Sequence, residues 1–124
     1  MIMFLNDLFS IITEDKQENQ VTYTIRLNKE HAIYTGHFPE SPITPGVCIV
    51  QMAVDLFSHL MGSDLHLLQA KNVKFLQLIR PDEHETLQYQ LHWEEMENSA
   101  YTLKIVVSDG DTIFTKMSIQ VGEK

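Results

Sequence analysis

A chain of 124 residues has room for one domain and one core, so residues 1–124 are read as a single unit. The formal net charge of −8, with only nine Lys and Arg, argues against nucleic acid, whose phosphates reward clustered cations. An apolar fraction of 44% with no run near the roughly 18 residues of a membrane helix describes a soluble globular chain. The lone Cys48 rules out an internal disulfide and fits a reducing cytoplasm.

The opening Met1-Ile2-Met3-Phe4-Leu5 is apolar, but Asn6 and Asp7 interrupt it, and it lacks a basic leader and a small-residue cleavage site. It does not read as a signal peptide. Phe4, Leu5, Leu8, Ile11 and Ile12 have helical spacing and predict a short amphipathic helix. Residues 21–27 alternate with period two and are rich in β-branched and aromatic side chains, which predicts a half-buried strand. Residues 31–34 are read as a short extended segment. Pro39, Pro42 and Pro45, followed by Gly46, then make helix or central strand impossible and predict a shaped loop.

Residues 47–61 are apolar nearly all round, as in a helix buried at the middle of a domain. Thr44 and Pro45 stand where a cap and a first-turn proline belong, and Gly62 and Ser63 end the helix. Strands are predicted at 70–78, 85–94, 100–108 and 112–121, with turns at Arg80-Pro81-Asp82, Glu97-Asn98-Ser99 and Asp109-Gly110. The order is short helix, strand, loop, long helix and antiparallel meander, an α+β arrangement with the sheet wrapped around one central helix. One sheet covers only one side of that helix and leaves an edge strand open, so a homodimer is the physical expectation.

The stretch Gly36-His37-Phe38-Pro39, continuing through Pro42, Pro45, Gly46 and Val47 into the helix, resembles the active-site signature of the β-hydroxyacyl-acyl-carrier-protein dehydratases. Val73, Phe75 and the Arg80-Pro81-Asp82 turn resemble the strand and proline turn that follow, so the likeness spans about the last four-fifths of the chain. It implies the dimeric hotdog fold and a (3R)-hydroxyacyl-acyl-carrier-protein dehydratase-like activity on 3-hydroxyacyl thioesters, in fatty acid or related acyl-chain biosynthesis. No metal or organic cofactor is implied. His37 would be the base that removes the C2 proton, a task suited to a side chain whose pKa lies near working pH. Gly46 would offer its backbone N–H, at the positive end of the helix, to the thioester carbonyl. Phe38, Pro45, Val47 and Met52 would contact the substrate, carried on acyl carrier protein or coenzyme A.

One position departs from the family. Its carboxylic acid stands fourteen residues beyond the His, and here that residue is Gln51, which cannot donate a proton as an acid. Asp55 follows one turn later on the same helix face and is the candidate replacement, although a turn is an offset of about 5.4 Å. The plain structural alternative is that Gln51 and Asp55 bond backbone groups or the other protomer. Cys48 is read as a packed thiol, His59 as a solvated side chain, and Lys71, Lys74 and Arg80 as the cations available to a phosphopantetheine or carrier protein. Two further functions stay open: a non-catalytic acyl-binding subunit paired with an active homologue, and a thioesterase.

Overall fold

The computed structural model describes residues 2–36 and 40–123, so His37, Phe38 and Pro39 of the motif lie outside the described residues. Six strands form one antiparallel sheet: β1 (Phe9–Gln17), β2 (Gln20–Leu27), β3 (His66–Phe75), β4 (Thr86–Glu95), β5 (Ala100–Asp109) and β6 (Thr112–Gly122). Their spatial order is β1-β2-β4-β5-β6-β3. Among the described residues the single α-helix, α1 (Gly46–Met61), lies between β2 and β3 in the chain.

Period two sets which face is which. Val21, Tyr23, Ile25 and Leu27 of β2 are buried, as are Leu87, Tyr89, Leu91 and Trp93 of β4 and Leu103, Ile105 and Val107 of β5. Their neighbours Gln88, Gln90, His92 and Glu94 are exposed on the opposite face. The buried rows meet α1, where Phe57 packs on Trp93 and Tyr101 with ring centroids 5.5 and 5.0 Å apart. The Tyr89 hydroxyl donates to the Ile49 carbonyl at 3.0 Å. Each fully buried Leu, Ile or Phe of this core contributes about 1.5–3 kcal/mol.

Four expectations are corrected. The N-terminal segment is not a helix: Phe4, Leu5 and Leu8 sit in a turn whose hub is the Phe4 carbonyl, which accepts from Asp7, Leu8 and Phe9 N–H groups. Ile11 and Ile12 belong to β1, with a register shift between Ile11 and Thr13. The open edge of β2 offers a hydrogen-bond ladder, and a free helix of this length is marginal in water. Residues 31–34 are not extended but hold a 3-10 turn, Ala32–Tyr34, capped by His31 Nδ1, which accepts from the Ile33 N–H at 3.0 Å.

The third correction concerns the helix start. Pro45 itself is the N-cap, with no side-chain cap, and the Thr44 hydroxyl instead bonds the Tyr34 hydroxyl at 2.9 Å. Lastly, β3 is not the first strand of a meander. It pairs with β6 at the far edge, so only β4, β5 and β6 are consecutive neighbours. It also begins and ends earlier than 70–78, because Leu76 and Gln77 leave the ladder and both donate to the Phe114 carbonyl. Gly62 ends α1 in the left-handed region at φ 64°, as its place in the sequence predicts.

Candidate active site

Both ends of the proline-rich loop are tied down. On one side the buried Tyr34 and Thr44 hydroxyls close the loop across ten residues of chain. On the other, the Thr44 N–H donates to the Ile79 carbonyl at 2.8 Å and the Arg80 guanidinium donates to the Ser41 hydroxyl. Burial pushes the Tyr34 phenol pKa above its ordinary value, although the Thr44 hydrogen bond opposes this. Tyr34, Ser41 and Thr44 are thereby fixed relative to the start of α1.

That start carries free donors. Cys48 and Ile49 N–H both bond the Pro45 carbonyl, at 3.0 and 3.1 Å. Gly46 and Val47 N–H have no acceptor among the described residues, as expected for the first turn of a helix. They lie at the positive end of the helix, where a carbonyl acquiring negative charge is stabilised. The Phe75 ring lies over Gly46 so closely that a Cβ there would sit 2.7 Å from Phe75 Cζ. Spacing gave no sign of this contact. Val47 is 80% exposed and Phe75 51%, so an apolar surface surrounds the two donors.

One turn further, Gln51 Nε2 donates to Asp55 Oδ1 at 2.9 Å. Asp55 is fully buried, because the N-terminal segment lies across it. Met3 N–H donates to Oδ1 at 3.1 Å and Phe4 N–H to Oδ2 at 2.6 Å. The carboxylate therefore accepts from three N–H groups and orients the Gln51 amide. A carboxylate accepts only, so the Gln51 nitrogen faces it and Oε1 is turned elsewhere. The N-terminal partners were not foreseen; the only sequence signal was an acid on an otherwise apolar helix, where an unpaired charge is costly.

The remaining predicted residues are dispersed. Met52 is fully buried beside Tyr89, whose hydroxyl lies 3.8 Å from Sδ. Cys48 is buried and its thiol pKa is pushed up by desolvation, as for a packed thiol. His59 is exposed and stacks edgewise on Tyr23 rather than meeting Asp55. Among the described residues no helix is long and apolar enough to cross a membrane. Two surface clefts stand out, and neither is lined by Gly46, Gln51 or Asp55.

The family described as ApeI-like, ApeI dehydratase, matches residues 13–116. The 3-hydroxyacyl-acyl-carrier-protein dehydratase FabZ of Lactiplantibacillus plantarum is 26% identical over 109 residues, covering 82% of this chain and 73% of that protein. Among solved structures, the dehydratase heterocomplex ApeI:P from Xenorhabdus doucetiae superposes with a TM-score of 0.72 at 19% identity, over 91% of this chain and 96% of that one. A hypothetical thioesterase with coenzyme A from Streptococcus pneumoniae gives 0.64 at 10% identity, over 92% and 84%. At such identities these likenesses show the fold, which is the hotdog.

Proposed function

The chain belongs to the ApeI-like dehydratase family, and from that membership we propose that it dehydrates 3-hydroxyacyl thioesters to enoyl thioesters. The observation that carries this reading is the pair of free N–H groups at Gly46 and Val47 beside a loop tied at both ends, which bears His37 in the sequence. In the reaction His37 takes the C2 proton while the Gly46 N–H donates a hydrogen bond to the thioester oxygen on which negative charge develops. Gln51, oriented by Asp55, holds the 3-hydroxyl through Oε1. The C–O bond breaks as the C2–C3 double bond forms, and His37 returns the proton it took from C2 to the departing hydroxyl, which leaves as water. Asp55 thus acts through Gln51, and Phe38, Pro45, Val47 and Met52 shape the acyl path. The thioester is carried on acyl carrier protein or coenzyme A in the cytoplasm, in fatty acid or related acyl-chain biosynthesis.

A dimer completes the site in this proposal. Both edge strands carry register shifts, but β1 displays Glu14, Asp15 and Lys16, charges that discourage pairing. The β3 edge and the segment after it expose Leu67, Leu68, Phe75, Leu76 and Leu78, each at least 41% accessible. Pairing through β3 covers these side chains and brings the partner close to Phe75 and Gly46. A second reading, a non-catalytic subunit beside an acid-bearing hotdog chain, is favoured by Gln51 and by the heterocomplex of the structural relative.

The assay follows 3-hydroxyacyl and enoyl pantetheine thioesters with the purified chain. Interconversion abolished by His37→Ala supports dehydration. Release of free thiol alone points to the thioesterase, and neither product, until a homologous hotdog chain is added, to the accessory subunit.

A further inference from the structure

On the sheet face turned away from α1, residues of β2, β4, β5, β6 and β3 line a cleft of about 510 Å³, a size typical of small-molecule sites. Lys74, Lys104 and Lys116, three of the nine Lys and Arg in a chain of net charge −8, stand in it together with His92. No Asp or Glu is among its described lining residues.

The register makes this concentration of charge sharper. Lys74 is directly opposite Lys116 across the β3–β6 pair, and His92 is directly opposite Lys104 across the β4–β5 pair. Lys104 faces Ser118, two residues from Lys116, which makes the two lysines diagonal neighbours. Like charges directly opposite one another destabilise a sheet. The nearest carboxylates by register are Asp15, opposite Thr22, and Glu94, two residues from His92. None of the three lysines is in an ion pair among the described residues, whereas Lys29 and Arg80 elsewhere on the surface are paired with Glu85 and Glu83.

We propose that this cleft binds a small phosphate-bearing anion, whose oxygens bridge Lys74, Lys104 and Lys116 across three adjacent strands. Asn72, Gln90 and Ser118 line the same cleft and supply neutral hydrogen-bonding groups beside the cations. A small ligand fits the charge distribution better than an acidic protein. Within a Debye length of about 8 Å it meets the lysines, while a large polyanion also meets the acidic remainder of the surface. A second copy of this chain is disfavoured as occupant, since it would set lysines against lysines. The cleft lies across the sheet from Gly46 and Gln51, so the inference stands apart from the thioester reading.

The test is calorimetric titration of the full chain with inorganic pyrophosphate, comparing wild type, Lys104→Gln/Lys116→Gln and the paired-lysine control Lys29→Gln. Wild type and the control bind with affinities within about twofold, and the double variant binds at least about tenfold more weakly, as loss of charge-assisted contacts requires. The double variant folds, with a thermal midpoint no lower than wild type before pyrophosphate is added, because a like-charge cluster has been relieved. Absence of binding to wild type, or equal binding by the double variant, overturns the proposal. So does a midpoint shift reproduced by sodium chloride at the same ionic strength. Tighter binding of a polyglutamate peptide than of pyrophosphate overturns it in favour of an acidic protein partner.

Discussion

Replacing Asp55 by Asn tests the most unusual feature of the helix, a buried carboxylate on which the N-terminal segment is hung. Asn preserves the volume but turns one acceptor oxygen into a donor. Whichever way the new amide rotates, its nitrogen faces an N–H group. Either the Phe4 N–H loses its partner, or the Met3 N–H loses its own and the Gln51 amide turns over so that Oε1 accepts from the new nitrogen, which takes Oε1 away from the substrate side. A hydrogen bond to a charged group contributes about 1.5–3 kcal/mol, and an orphaned buried donor adds about 1–3. Met3 is 55% exposed, so water replaces part of its loss. The expected destabilisation is about 2–4 kcal/mol, read as a lower urea midpoint with unchanged m-value. Residue-specific hydrogen exchange supplies the second readout, with protection of the Phe4 amide falling well before that of the β4 and β5 amides. A variant within about 0.5 kcal/mol of wild type, or one that keeps Phe4 protected, would refute the anchoring role of Asp55.

Gly46→Ala places a methyl group against the Phe75 ring, which is half-exposed and free to swing aside. The expected stability change is therefore within about 1 kcal/mol, while enoyl thioester turnover falls, and adding Phe75→Ala restores part of it. Burial raises the Cys48 thiol pKa from its ordinary 9.0 and those of Tyr34 and Tyr89 from 10.0. Groups raised in the folded state favour folding fully below their unfolded pKa and lose that contribution as pH rises through the folded one. Stability is thus expected to decline above about pH 9, and a Cys48→Ala variant, compared by urea titration at each pH, shows a shallower first part of that decline. Leu68→Lys on the β3 edge is expected to convert dimer to monomer in sedimentation, whereas Thr13→Lys on the β1 edge leaves the assembly unchanged.

Much of the fold was legible because it is written in local periodicity. Period two across residues 21–27 and 85–121 marked β2, β4, β5 and β6 to within one or two residues, and the apolar run of 47–61 marked α1. The Gly110 turn was equally readable, because φ of 58° there suits a residue without a Cβ. The N-terminal segment misled, since Phe4, Leu5, Leu8, Ile11 and Ile12 satisfy a helical spacing equally well. Nothing local reports that β2 has an open edge waiting for a partner.

The sequence by itself determined the chemistry on offer: an imidazole at His37, a glycine at position 46 opening an apolar helix, and an amide at Gln51 one turn before the acid at Asp55. Only the tertiary structure decided how they are used. Asp55 finds its partners 51 and 52 residues away, at Phe4 and Met3, and Phe75 reaches Gly46 from the opposite edge of the sheet. β3 lies beside β6 rather than β4, and that placement sets Lys74 opposite Lys116. The physical reason is common to all three: side-chain spacing says which face of an element is apolar, whereas the group that meets it comes from chain closure over long distances, which only the packed core selects.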